Sequence, residues 1–292
     1  MESLDVTNNS KMWMETYIVF GLIISCFNIL QIIVIYKINK KIPKSMIFIL
    51  NLSCSDLFVG GVVALSAILR IIVPPQNEGL FIQTLRYCGL RIGLVISLGN
   101  LVLIAFDRLL SVVYPFKYPL IPRRRFIIFI VIIWSISIAS PLIWFVVLSE
   151  ADPEIFFRKS NIGFPILTIF AISEMIFSYV FIWFRIRRQN RKFAIRDTEN
   201  REYSAAEKKR LLQETKIAKL ATTIIVCFSV FSLPHTLVSL LSEVASIEIH
   251  SSVRYLVTLL FITNSFVNTL LYFLHIKSKV YRYFIKIFHK KS

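Results

Sequence analysis

Seven stretches of this chain are apolar almost without interruption, and short polar or charged segments separate them. They cover residues 12–36, 46–73, 80–113, 126–148, 163–184, 217–241 and 252–274. A helix needs about 20 apolar residues to cross the hydrocarbon core of a bilayer, whereas a strand needs only about 9–11. Each stretch has the helical length, so the pattern predicts an all-α membrane protein, a seven-transmembrane helix bundle. The connections are mostly short, which makes neighbouring helices antiparallel. The longest runs from Arg187 to about Thr215, and its second half is rich in helix formers that extend the sixth helix inward. Beyond the seventh span, Val280, Phe284, Ile287 and Phe288 fall at i, i+4, i+7, i+8 among lysines and Arg282. That spacing predicts a C-terminal amphipathic surface helix. Residues 1–11 then form an outer N-terminus, 12–274 the bundle, and 275–292 the surface helix and inner tail. No repeat or soluble domain interrupts the scheme.

Composition narrows the class. With 56% hydrophobic residues and 8 Gly among 292, and a mean hydropathy of +0.68, an ordinary soluble domain is excluded. The net charge of +17 is not the footprint of a nucleic-acid binder, because the surplus is confined to alternate connections. Lys37, Lys40, Lys41 and Lys44 follow the first span, Lys117 and Arg123–Arg125 the third, and Arg185, Arg187, Arg188, Arg191 and Lys192 the fifth. Six further basic residues occupy 277–291, while Glu2, Asp5, Glu78, Glu150, Asp152, Glu154, Glu243 and Glu248 lie in the opposite segments. The positive-inside rule places the N-terminus outside and the C-terminus in the cytoplasm. The basic runs are read as anchors to the anionic lipid of the bilayer.

No cleavable signal peptide is expected, since the first dozen residues are polar and the first apolar run is long, and the first span serves as signal anchor. Asn8-Asn9-Ser10 is an outward glycosylation sequon at Asn8. Of the four cysteines, Cys26, Cys54 and Cys227 lie inside spans and Cys88 near the outer face without a partner in the outer loops. All four are read as packed thiols.

Polar side chains inside the spans carry the candidate chemistry. Asp56, Ser97, Asn264, Ser265 and Asn268 sit deep in three separate apolar runs, where hydrocarbon offers them no water. Bringing the three runs together lets them share a small wet cavity. Asn264, Asn268 and Tyr272 fall at i, i+4, i+8 on one face of the seventh span. Interhelical polar packing explains such a face, and so does a hydrated site for a small cation. At the inner end of the third span, Asp107 and Arg108 are adjacent opposite charges. Glu214 lies twenty residues before Pro234, about 30 Å along a helix, at the same inner depth. Arg108 is thus either an interfacial anchor or the centre of a latch held by Asp107 and Glu214, whose carboxylates its planar fork suits. Pro234 removes one backbone bond from the sixth span and permits a kink.

These motifs, from about Met12 to Phe288, resemble a rhodopsin-like (class A) G-protein-coupled receptor. Asn28 matches the family's first-span asparagine, and Asn51-Leu-Ser-Cys-Ser-Asp56-Leu its second-span motif. Asp107-Arg108-Leu109 is similar to Asp-Arg-Tyr, with Pro115 and Phe116 at the inner-loop positions. Trp134 and Tyr179 match the fourth-span tryptophan and fifth-span tyrosine. Glu214, Phe228 and Pro234 keep the sixth-span spacing, and Asn268 and Tyr272 that of Asn-Pro-x-x-Tyr. The resemblance implies that Asp56, Ser97, Asn264, Ser265 and Asn268 line an allosteric Na+ pocket, with no other cofactor. Departures are equally plain. Leu109 replaces the tyrosine, Ser232 the sixth-span tryptophan, Thr269 the seventh-span proline and Ala171 the fifth-span proline. Gln83 stands at the usual outer cysteine. The absent disulfide and short second outer loop resemble the melanocortin, lysophospholipid and cannabinoid branch.

For the ligand, Leu90 stands where amine receptors carry an aspartate, which argues against a biogenic amine. The outer half instead carries Arg70, Arg86, Arg91 and Arg254. Arg86 stands where lysophospholipid and sphingosine-phosphate receptors have a phosphate-binding arginine, though the next residue is Tyr87. Arginines near helix ends also snorkel to the interface. With Leu90, His235, Ser239 and Thr258, Arg86, Arg91 and Arg254 form the candidate ligand set, for an extracellular ligand that is anionic or a lipid. The resemblance implies a plasma-membrane receptor coupled to a heterotrimeric G protein through Arg108, Phe116 and the inner ends of the fifth and sixth helices. The tail holds only two serines, Ser278 and Ser292, so arrestin recruitment is expected to be weak. A decoy or scaffold receptor and a seven-span transporter are the alternatives. No outward nucleophile–base set points to an enzyme.

Overall fold

The computed structural model describes residues 2–39, 42–73, 82, 85–114, 117–149, 153–198 and 205–288, with the backbone alone over several helix ends, among them 2–10, 192–198, 205–221 and 275–288. Seven long helices follow in order: α1 (Glu2–Ile38), α2 (Lys44–Ile72), α3 (Leu90–Val113), α4 (Arg123–Ser149), α5 (Pro153–Thr198), α6 (Ala205–Glu243) and α7 (Ser251–Phe288). A π-helical turn, Leu85–Gly89, leads into α3, and a 3-10 turn, Tyr118–Leu120, lies between α3 and α4. All seven are long and apolar enough to cross a membrane. No strand occurs among the described residues. The predicted bundle is the observed one.

The helix ends differ from expectation in three places, and one of them is α5, which runs from Pro153 to Thr198, beyond both ends of the apolar stretch 163–184. α1 begins at Glu2, so the segment read as a polar terminus is helical. Glu2 and Asp5 suit the positive end of the helix dipole, and no Gly or Pro occurs before Gly21. Asn8 therefore sits on helical backbone, with its side chain outside the described residues. At the other end α7 runs to Phe288 without a break. The backbone of the predicted surface helix is thus continuous with the last span, and its side chains lie outside the described residues.

α3 is the most enclosed helix, with 67% of its apolar stretch buried, and α4 the least, at 11%. The inner half of the core joins Leu101, Ile104 and Val112 of α3 to Met175, Tyr179 and Ile182 of α5 and Ile224, Ile225 and Phe228 of α6. A second cluster, in the outer half, joins Ile24, Val59, Val63, Leu94, Phe261 and Ile262. α1 and α2 approach most closely at a glycine pair. A Cβ on Gly21 would lie 2.6 Å from the carbonyl oxygen of Gly60, and one on Gly60 would lie 2.8 Å from that of Gly21. Small residues at membrane helix crossings permit this contact between backbones.

The cysteines correct one expectation. Cys26 and Cys54 are exposed on the outside of the bundle, Cys227 is half-buried and only Cys88 is buried. Their positions on helices were right, but rotation about the axis turned two of them outward. The Cys88 thiol points to the carbonyl oxygen of Pro141 at 3.6 Å, pinning the π turn to α4.

Candidate functional site

α2 presents Asn51, Ser55 and Asp56 inward: at 3.6 residues per turn Asn51 and Ser55, four apart, share a face, and Asp56 follows about 100° further round. Asp56 is 0% exposed. Its Oδ1 accepts bonds from the hydroxyls of Ser97 (2.9 Å) and Ser265 (2.8 Å), and its Oδ2 from the Asn268 amide at 3.3 Å. Three runs distant in sequence are thereby joined at one carboxylate, as expected. The groups bond one another directly. Asn264 is buried as well, and its Oδ1 and that of Asn268 have no hydrogen-bond partner among the described residues. Each bond to a charged acceptor contributes about 1.5–3 kcal/mol, while desolvating a carboxylate costs several kcal/mol. The two are of similar size, so the cluster is balanced closely enough for a nearby charge to matter. One carboxylate, two hydroxyls and two unpartnered amide oxygens form an all-oxygen donor set, which suits a hard cation. The residues therefore fit the Na+ that the resemblance implies. No group of three or more His, Cys, Asp or Glu able to hold a metal occurs among the described residues.

Two further networks brace this centre. Trp134 of α4 donates its Nε1 hydrogen to Asn51 Oδ1 at 3.0 Å, the Asn51 amide donates to Asn100 Oδ1, and the Asn100 amide donates to Ser55 Oγ at 3.1 Å. α2, α3 and α4 are thus tied by one chain of bonds. On the other side, the Thr269 hydroxyl donates to Asn28 Oδ1 at 2.9 Å, and the Asn28 amide reaches the carbonyls of Ile24 (2.9 Å) and Ser265 (3.5 Å). Thr269, where the resemblance expects proline, is 0% exposed and couples α7 to α1.

The inner end of α3 holds the charge pair. Asp107 and Arg108 are both buried and bonded to each other. The Tyr118 hydroxyl donates to Asp107 Oδ1 at 2.7 Å. Burial, with the negative Asp107 beside it, holds that hydroxyl well above the usual phenol range, so it remains a proton donor. Lys44 Nζ donates to the carbonyls of Pro119 and Ile121, both at 2.6 Å, fixing the same turn from α2. Glu214 lies on the α6 backbone, but its side chain is outside the described residues, as is Phe116 altogether.

Tyr179 and Phe228 pack in the inner core, whereas Tyr272 packs against Ile35 and directs its hydroxyl at Met46 Sδ, 3.7 Å away. Tyr272 thus belongs to the base of α1 and α2. Pro234 lies inside a continuous α6. Hydroxyls flank it: Ser232 donates to the Phe228 carbonyl at 2.6 Å and Thr236 to that of Ser232 at 2.9 Å. Such back-bonding favours bending.

Two members of the ligand set share a cleft. Arg254 and Thr258 line a cleft of about 250 Å³ between α1, α2 and α7. His235 instead stacks on Phe261 with ring centroids 5.0 Å apart, and meets Phe164 edge-on. Arg91 and Ser239 are half-buried. The side chains of Arg86 and Leu90 lie outside the described residues. Sequence reasoning passed over Tyr118, Asn100 and Glu174. Glu174 is a carboxylate in the middle of α5 that accepts the Ser178 hydroxyl at 2.9 Å. Asn100 and Glu174 could have been found as polar interruptions of apolar runs. Tyr118 is in a loop and carries no periodic signal.

The 7 transmembrane receptor (rhodopsin family) matches residues 27–272, from just before Asn28 to Tyr272, and the chain belongs to that family. It is a multi-pass membrane receptor of the G-protein-coupled type. Receptors of this family in general have an extracellular ligand and a G protein as partners and are generally not enzymes.

Proposed function

We propose that this receptor transmits the binding of an extracellular anionic ligand to a heterotrimeric G protein by outward movement of α6. The observation that carries the reading is the Asp107–Arg108 pair, buried at the inner end of α3 and held by Tyr118. A buried guanidinium there costs stability unless its donors are engaged, so it suits a group that exchanges an internal partner for an external one. Glu214 supplies the second carboxylate of the latch, and Pro234 the hinge. Arg108, Phe116 and the inner ends of α5 and α6 form the face for the G protein. The charge distribution supports an outer N-terminus, a cytoplasmic C-terminus and residence in the plasma membrane. Arrestin recruitment is weak on this reading.

Asp56, Ser97, Asn264, Ser265 and Asn268 are the residues that would hold Na+. The ion would supply the positive charge that the Asp56 carboxylate otherwise lacks, favouring the arrangement in which the three helices converge. The ligand's anionic character rests on the outer arginines, Arg70, Arg86, Arg91 and Arg254.

A second reading, a receptor that binds without signalling, is favoured by two substitutions. Ser232 leaves α6 without the family's bulky tryptophan, and Thr269 bonds Asn28 where a proline would loosen α7. G-protein activation in cells, with surface expression verified, separates the two. Lysophospholipids, other anionic lipids and peptides are the panel. Stimulation by an anionic ligand is expected; silence of the well-expressed receptor, basal and stimulated, favours the second reading.

A further inference from the structure

The cleft between α1, α2 and α7 has a chemistry of its own. On α2, Val63, Ser66, Ala67 and Arg70 fall at i, i+3, i+4, i+7, one face of a helix. On α7, Arg254, Thr258 and Ile262 fall at i, i+4, i+8, and on α1, Met14 and Tyr17 at i, i+3. Apolar side chains therefore line the depth of the cleft, while the exposed Arg70 and Arg254 stand at its outer rim. Aromatic contacts hold its mouth: Tyr255 stacks with Trp13 at 5.7 Å and meets Tyr17 edge-on at 6.2 Å.

Three of the hydroxyls around the cleft are already engaged. Thr258 donates to the Arg254 carbonyl at 2.8 Å, Ser66 to that of Val62, and Tyr17 to that of Tyr255 at 2.9 Å. A sugar or a peptide backbone would find few donors matched to it here. The two guanidinium groups remain. Each has five N–H donors; Arg254 uses one on Ser242 at 2.8 Å, and among the described residues neither arginine meets a carboxylate. Positive charge at the rim above a hydrocarbon floor selects a molecule with an anionic head and an apolar body.

We propose that this cleft binds a single-chain anionic amphiphile, its phosphate or carboxylate head between Arg70 and Arg254 and its first methylenes against Val63, Ala67 and Ile262. The proposal rests on the reading that the receptor's ligand is anionic, and it moves the contact from Arg86 and Arg91 to α1, α2 and α7. At about 250 Å³ the cleft falls just below the range of about 300–1,000 Å³ for cavities that enclose a whole drug-sized ligand. It therefore takes the head and the start of the chain, and the remaining chain stays in the bilayer. The position also couples to the centre. Ile262 lies three residues outward of Ser265, and Val63 seven residues, about 10 Å, outward of Asp56 on the same helix. An occupant touches both helices that meet at the carboxylate, so its affinity differs between arrangements of α2 against α7.

The test is thermal unfolding of the purified receptor in nanodiscs of neutral lipid, titrated with oleoyl lysophosphatidate, oleate, monoolein or inorganic phosphate. Wild type, Arg70→Gln, Arg254→Gln, Ala67→Trp and Arg91→Gln are compared. The expected result is a rise in Tm with the two anionic lipids and with neither monoolein nor phosphate. Apparent affinity falls about tenfold or more in Arg70→Gln and Arg254→Gln, is lost in Ala67→Trp, and is retained in Arg91→Gln. Should Arg91→Gln alone abolish the shift, the cleft proposal is overturned while the anionic ligand stands. No shift of the wild type with either anionic lipid overturns both. Arg70→Gln and Arg254→Gln change exposed side chains, so their unliganded Tm confirms that they fold.

Discussion

Asp56 receives its three described bonds from two hydroxyls and an amide, and none of these is charged. Replacing it by Asn keeps the shape, removes the charge and removes the reason for a cation to enter. The wild-type Tm is expected to rise when NaCl replaces choline chloride at equal ionic strength, and Asp56→Asn to abolish that rise. An undiminished rise in the variant would place the sodium effect elsewhere. Thr269 allows a second test at the same scale. Thr269→Val preserves volume but leaves the buried Asn28 Oδ1 without its described donor, a loss of about 1–3 kcal/mol. A lowered Tm is expected, and an unchanged one would mean that the α1–α7 bond contributes nothing. Residues of this kind were legible because hydrocarbon makes any polar interruption conspicuous: Asp56, Ser97, Ser265 and Asn268 met as foreseen. Tyr118 and Lys44 were not, because their contacts depend on the path of a loop and no helical spacing announces it. Depth along a helix can be counted from the sequence, but the rotation that turns Thr258 into the cleft and stacks His235 on Phe261 is set by packing.

At the scale of elements, all seven helices were readable from length and hydropathy, and the inward extension of α6 from its helix formers. The helical start of α1 was missed because polarity was taken for irregularity, although Glu2 and Asp5 favour a helix N-terminus. How two helices pack depends on local shape, and the glycines of α2 make this testable. Gly60 faces α1, while a Cβ at Gly61 would meet nothing within 4 Å. Alanine in place of glycine gains about 1 kcal/mol of helix propensity, and overpacking costs about 1–3 kcal/mol. At Gly21 the obstructing atoms are backbone, the Gly60 oxygen at 2.6 Å and the Ala64 nitrogen at 2.8 Å, so neither can swing aside. Gly21→Ala is therefore expected to lower Tm, and Gly61→Ala to raise it slightly. Equal shifts in the two variants would contradict a close α1–α2 crossing.

For the whole molecule, the decisive quantity is the balance between two arrangements of α6 against the rest of the bundle. Polar chains join α1 to α7 through Asn28 and Thr269, and α2 to α3 and α4 through Asn51, Asn100 and Trp134. In its inner half α6 joins the apolar core through Ile224, Ile225 and Phe228. Apolar contacts are non-directional, and a helix held by them can slide or tilt with less loss than one held by buried hydrogen bonds. On the proposed reading Glu214 supplies the directional restraint, placed by its twenty-residue offset from Pro234. Removing it frees Arg108 from that restraint and leaves the ligand site unchanged. If the restraint is worth about 1.4 kcal/mol, the active fraction changes about tenfold while it remains small. Glu214→Ala is accordingly expected to raise basal G-protein activation several-fold at equal surface expression, and Glu214→Gln to raise it less, since an amide still accepts a hydrogen bond from Arg108. Basal output equal to wild type in both variants would mean that Asp107 and Tyr118 hold Arg108 unaided, and that the resting state is set by the packing of α6 alone.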